Sequence, residues 1–179
     1  MKQDSKRKKN SNNRWILFIF VGSFFLSLFF SYVSTTALSG LDVIPAIIMV
    51  LLVIFIGVIF DIIGLAANVA EEETFHAQGS KKIKSSKTAI KLIRNSGKVS
   101  SICADVIGDV AGVLSGAMSA IISIKITSTY GASESVQYFV SAMVAALTIG
   151  GKAIGKGIAI KHANKIINGV SKLISGVYK

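Results

Sequence analysis

Proline, cysteine and acidic residues are scarce in this 179-residue chain. The single cysteine, Cys103, excludes an internal disulfide bond and a paired thiolate metal site. With only one proline, Pro45, long stretches contain nothing that must break a helix. Nine acidic residues stand against twenty Lys and Arg, a formal net charge of +11. The lysines cluster beside apolar runs without interleaved aromatic residues, so the charge favours a lipid surface and argues against nucleic acid as a partner.

Long apolar runs make up much of the chain, since 51% of its residues are hydrophobic. A hydrocarbon core of roughly 30 Å needs about twenty such residues in a helix. The runs that meet or approach this length are residues 15–34, 43–67, 100–124 and 135–150. We therefore predict an all-α integral membrane protein with about four transmembrane helices, residues 15–150 forming its membrane domain.

A basic segment, residues 1–14, precedes the first apolar run, and we expect it to be a disordered tail. A basic start followed by an apolar run is also typical of a cleaved signal peptide. The run is longer than the usual signal-peptide core, which favours a retained span over a cleaved one.

Two lysine-rich segments, residues 71–98 and 151–179, place aliphatic residues at helical spacing among the lysines. This pattern is typical of amphipathic juxtamembrane helices. The basic residues that we expect to contact anionic lipid headgroups are Lys81, Lys82, Lys84, Lys161 and Lys165. The connections at residues 35–42 and 126–134 hold no lysine or arginine. The positive-inside rule then predicts a multi-pass plasma-membrane protein with both termini in the cytoplasm.

Carboxylates interrupt the apolar runs at three positions, Asp61, Asp105 and Asp109. On a helix, Asp105 and Asp109 lie one turn apart and share a face with Ser101. An ionised group at membrane depth costs a few kcal/mol unless it is paired, hydrated or used. Close helix packing is predicted at a stripe of small residues, Gly108, Gly112 and Gly116.

Three roles are open for these aspartates. Carboxylate and hydroxyl oxygens suit a hard divalent cation, with Ser101 as a neighbour. Alternatively, Lys152 and Lys156 would pair with the aspartates and tie the helices together. Thirdly, Asp61 and Asp109 resemble the two aspartates of intramembrane aspartyl proteases, although residues 106–109 lack the first glycine of that family's GxGD motif.

Several segments resemble the motifs of one transporter family in order and spacing. Residues 60–66 stand where that family has FSGxExAL, residues 89–95 where it has AxxLLxNP, and residues 151–166 where it has GEVxPKxxAxRxAxxIA. Residues 99–101 stand where the family enters its next span. On these segments, residues 43–174 resemble the transmembrane domain of the cyclin M and CorB/CorC magnesium transporters, without their regulatory cytoplasmic domains.

The resemblance implies a homodimer that binds or passes Mg²⁺ at an intramembrane site formed by Asp61, Ser101, Asp105 and Asp109. The glutamate of the last motif falls on Lys152 and its proline on Gly155. A charged lysine cannot ligate a cation, but it can neutralise a carboxylate. The alternative is therefore a membrane scaffold, neither transporter nor enzyme, in which Lys152 replaces the ion.

Overall fold

Helices account for all regular structure in the described part of the chain. The computed structural model describes the backbone of residues 2–80, 83, 85–133 and 135–177, and the side chains of these ranges from residue 15 to residue 176. The α-helices are α1 (Lys2–Ser39), α2 (Val43–Val69), α3 (Glu72–Ser80), α4 (Ser85–Arg94), α5 (Ser96–Ser100), α6 (Asp109–Tyr130) and α7 (Val136–Val177). A π-helical segment, Ser101–Gly108, joins α5 to α6.

Four helical stretches are long and apolar enough to cross a membrane, which confirms the predicted all-α membrane fold. They are Trp15–Ser39, Val43–Val69, Ser96–Tyr130 and Val136–Gly176. We call Ser96–Tyr130, which contains α5, the π-helical segment and α6, the third span. The second span agrees closely with the apolar run at residues 43–67, whereas α7 continues well beyond residue 150.

Helix α1 begins at Lys2, ahead of the first span, which begins at Trp15. Neither proline nor glycine occurs before Gly22, so nothing in the sequence stops the helix from continuing towards the N-terminus. At the start of the apolar run, the Lys98 ammonium lies 5.4 Å from the centre of the Trp15 ring. This contact ties α1 to the beginning of the third span.

Helix α2 lies at the centre of the molecule, packed between the third span and α7. In the membrane, α1, α2, α6 and α7 share a core formed by Leu38, Ala46, Val50, Ile54, Met118, Ile122 and Val144. The approach is closest at Gly57, where an added Cβ would lie 2.8 Å from the Ala111 Cβ. Glycine at this position is what lets α2 meet the third span.

A second core lies on the side where the lysines cluster. Its buried residues are Ala66, Ala67, Ala70, Phe75, Ala89, Ala159, Ala163 and Ile167. We call α3, α4 and the part of α7 from Ala159 onward the basic-side bundle. The apolar stripe of α4 packs against α7, so this amphipathic helix has a protein partner.

The opposite end of the molecule is held by one lysine. Lys125, near the end of α6, donates to the Ser39 carbonyl at 3.2 Å and also to the Leu41 carbonyl. These carbonyls belong to the C-terminus of α1 and the turn after it, where a helix presents unpaired acceptors and partial negative charge. Gly131, with φ of 64°, ends α6 in the left-handed conformation.

Candidate functional site

One ion pair joins two of the predicted site residues across a helix interface. Lys152 Nζ on α7 donates to Asp109 Oδ1, the first residue of α6, at 2.9 Å. The Lys152 side chain is 23% exposed and the Asp109 side chain 66% exposed. A charge-assisted hydrogen bond of this kind fixes α7 against the third span.

Asp61 and Asp109 lie in the halves of α2 and of the third span that are nearer to the basic side. Distances along each helix can be measured from the end that lies away from the basic side. These distances are about 32 Å from Tyr130 to Asp109, about 27 Å from Val43 to Asp61 and about 24 Å from Val136 to Lys152. A core of roughly 30 Å that began at those helix ends would contain these positions in its last third or at its boundary. A lysine there can extend to water, so the charges cost less than they would at mid-depth.

Asp61 lies on α2 beside the π-helical segment. A Cβ added at Gly108 would come within 3.8 Å of the Asp61 Cβ and 3.5 Å of the Gly57 carbonyl oxygen. Both distances are ordinary van der Waals contacts, so Asp61 lies against the third span at Gly108. Among the described side chains, the salt bridges are Lys152–Asp109 and two contacts of Glu72, so Asp61 belongs to none of them.

The π-helical segment holds the other two predicted ligands. Ser101 is half-buried and Asp105 is exposed. The wider turns of a π-helix arise where one residue too many is fitted into a helix. Here that segment packs on α2, where a Cβ at Gly64 would lie 3.3 Å from the Ala104 backbone nitrogen. No sequence pattern indicated this geometry, because it depends on the contact with α2.

The arrangement fits an ion pair better than a divalent-cation site. Within the described residues, no three His, Cys, Asp or Glu side chains come together in a group that could hold a metal ion. Asp109, one of the four predicted ligands, is already hydrogen bonded to Lys152. Aspartyl-protease chemistry needs two carboxylates that share a proton, and a lysine contact at Asp109 does not provide this. Lys156, one turn along α7, is exposed.

The predicted glycine stripe divides into one packed residue and two open ones. Gly108 contacts α2, whereas a Cβ at Gly116 would meet nothing within 4 Å and one at Gly112 would only touch Thr148 at 3.9 Å. Gly112 and Gly116 line a cavity of about 350 Å³ between α6 and α7. Hydroxyls cross this interface, with Ser119 Oγ 3.2 Å from Ser141 Oγ.

Helices α3 and α4 are joined by Glu72. Arg94 Nη2 lies 2.7 Å from Glu72 Oε1, and His76 Nε2 lies 2.9 Å from the same oxygen. The Arg94 guanidinium, and then His76, hold the pKa of Glu72 below its ordinary value of 4.5. Arg94 is far from Glu72 along the chain, so no local pattern could have predicted this contact.

Asn164 joins α7 to the start of α3, and sequence analysis gave no indication of it. Its Oδ1 accepts from the Glu71 backbone N–H at 2.9 Å, and its Nδ2 lies 3.4 Å from Thr74 Oγ1. Close by, α7 bends at His162, whose φ of −125° and ψ of 23° are not helical. A cavity of about 330 Å³ lies at this bend, lined by residues that include Lys161 and Lys165.

The lysines that were predicted to contact lipid are described only in part. Lys161 and Lys165 are exposed on α7. Lys81, Lys82 and Lys84 lie outside the described residues.

No family model matches the chain, and no curated protein or solved structure matches it either.

Proposed function

We propose that this chain is a membrane scaffold in which Lys152 neutralises Asp109 where the magnesium-transporter family would bind a cation. The observation that supports this function most directly is the 2.9 Å contact between Lys152 Nζ and Asp109 Oδ1. The pair joins α7 to the third span, and α7 in turn carries the basic-side bundle. In this account the charged residues hold a helical platform at the membrane surface and move no ion.

The orientation of the scaffold follows from its charges. The basic-side bundle contains most of the exposed lysines of α4 and α7, and the positive-inside rule places such segments in the cytoplasm. Both termini would then lie on that side of the plasma membrane, with the turn that Lys125 holds on the other. The basic surface would lie among anionic lipid headgroups, each lysine near them contributing about 1 kcal/mol.

Divalent-cation binding is the second candidate, and one observation favours it. Asp61 approaches the third span at Gly108, which brings it to the segment that carries Ser101 and Asp105. Two carboxylates and a hydroxyl, completed by water, are a donor set that Mg²⁺ accepts. Magnesium binding and the homodimer implied by the resemblance both stay predictions.

Thermal unfolding of the purified chain in detergent separates the two candidates. A ligand that binds only the folded state raises the unfolding temperature. As a scaffold, the chain should respond to millimolar MgCl₂ no more than to NaCl of equal ionic strength, and Asp105→Asn should respond like the original chain. A stabilisation specific to Mg²⁺ that Asp105→Asn abolishes would contradict the scaffold and support the cation site.

A further inference from the structure

The cavity at the bend of α7 is lined by charges of both signs. Glu71 comes from the connection between α2 and α3, and Lys161, His162 and Lys165 come from α7. Lys161 and Lys165 lie on either side of the bend at His162, and both line the cavity. The Glu71 carboxylate would repel an anion, so the lining is not that of a simple anion-binding surface.

The cavity lies farther along α2 and α7 than the length of helix that a hydrocarbon core requires. Along the helices, Val69 is about 39 Å from Val43 and Ile160 about 36 Å from Val136. The hydrocarbon core ends at about 30 Å, and the headgroup region extends several ångströms beyond it. Val69 and Ile160 also line the cavity, and they are 41% and 60% exposed. A lipid bound here would place its acyl chains against Val69 and Ile160 and its headgroup against the charged residues.

The Glu71 carboxylate is held at the cavity by Asn164. The Glu71 backbone N–H donates to Asn164 Oδ1 at 2.9 Å, and Asn164 Nδ2 lies 3.5 Å from Glu71 Oε2. Because Asn164 precedes Lys165 in the chain, the same turn of α7 fixes the carboxylate and supplies an ammonium group. The acidic and basic parts of the lining are therefore built as one unit.

We propose that this cavity binds a phospholipid whose headgroup carries a primary ammonium, with its phosphate at Lys161 and Lys165 and its ammonium at Glu71. Phosphoethanolamine pairs with both charges, since its ammonium has N–H groups that donate to a carboxylate. The quaternary ammonium of phosphocholine has no N–H to donate. Phosphoglycerol has hydroxyls that can donate to a carboxylate, but it has no cationic group to pair with Glu71. This site is independent of the Lys152–Asp109 pair and goes beyond the scaffold function.

Native mass spectrometry of the full chain tests the proposal with phosphatidylethanolamine, phosphatidylcholine and phosphatidylglycerol of identical acyl chains. Phosphatidylethanolamine should bind about tenfold more tightly than phosphatidylcholine, the expected effect of one charge-assisted contact. Glu71→Gln should remove this preference and leave phosphatidylglycerol binding intact. The double variant Lys161→Ala with Lys165→Ala should weaken the binding of phosphatidylethanolamine and of phosphatidylglycerol.

Lys172→Ala is the matched control, because Lys172 is exposed on the same helix but does not line the cavity. It should leave the preference for phosphatidylethanolamine unchanged. Glu71→Gln keeps the backbone hydrogen bond to Asn164, so the variant should still fold. An unfolding temperature close to that of the original chain would verify this. Equal binding of phosphatidylethanolamine and phosphatidylcholine, or a preference that survives Glu71→Gln, would overturn the proposal.

Discussion

At the scale of single residues, glycines determine how closely the membrane helices approach. Gly57 and Gly155 leave no room for a side chain, since an added Cβ would lie 2.8 Å from Ala111 and from Ile62, respectively. Gly116, in contrast, has open space around its Cα. The sequence shows the small residues but not their neighbours, so it indicated the stripe that contains Gly116 and missed Gly57 and Gly155.

This difference predicts unequal effects of one added methyl group. Gly57→Ala should lower the free energy of unfolding by about 1–3 kcal/mol, the usual cost of overpacking against a backbone that cannot withdraw. Gly116→Ala, the matched control, should have no effect or stabilise α6 slightly, because alanine favours helix more than glycine does. Denaturant unfolding in mixed micelles measures both, and equal effects would contradict the packing described for α2.

At the scale of elements, the basic-side bundle depends on contacts between segments far apart in the chain. Glu72 joins α3 to α4 through Arg94, and Asn164 joins α7 to the start of α3. The apolar runs predicted the membrane helices because length and hydropathy are local properties. The spacing of aliphatic residues also predicted a helix at residues 151–179, but not that it would continue the fourth span as the single element α7. The π-helical segment packs against α2, and no local pattern indicated it.

The Glu72 contact predicts a pH dependence with a definite sign. Because Arg94 and His76 lower the pKa of Glu72 in the folded chain, the stabilisation is complete above the ordinary value of 4.5 and is lost as the pH falls through the lowered pKa. Glu72→Gln should therefore be less stable than the original chain near neutral pH, and the difference should vanish in acid.

Circular dichroism melting of the two proteins across this pH range measures that difference. Glu73→Gln is the control, since Glu73 is an exposed residue of the same helix and takes part in none of the salt bridges of the described side chains. Its stability should follow that of the original chain at every pH. A difference between Glu72→Gln and the original chain that grew in acid would contradict the assignment.

At the scale of the whole molecule, α2 is the central helix, and α7 connects the membrane domain to the basic-side bundle. The sequence offered Lys152 as a partner for the aspartates, and the structure places it at Asp109. The sequence could not indicate the neighbours of Asp61 and Asp105, because these neighbours depend on the π-helical segment.

The central claim is that Lys152 and Asp109 stabilise the fold as a pair, and a double-mutant cycle tests it most directly. Lys152→Ala, Asp109→Ala and the double variant are unfolded in the same micelles, with Lys156→Ala replacing Lys152→Ala in a control cycle. For a pair that is partly exposed, we predict a coupling free energy of about 1 kcal/mol between Lys152 and Asp109 and none between Lys156 and Asp109. Strictly additive effects of Lys152→Ala and Asp109→Ala would contradict the account.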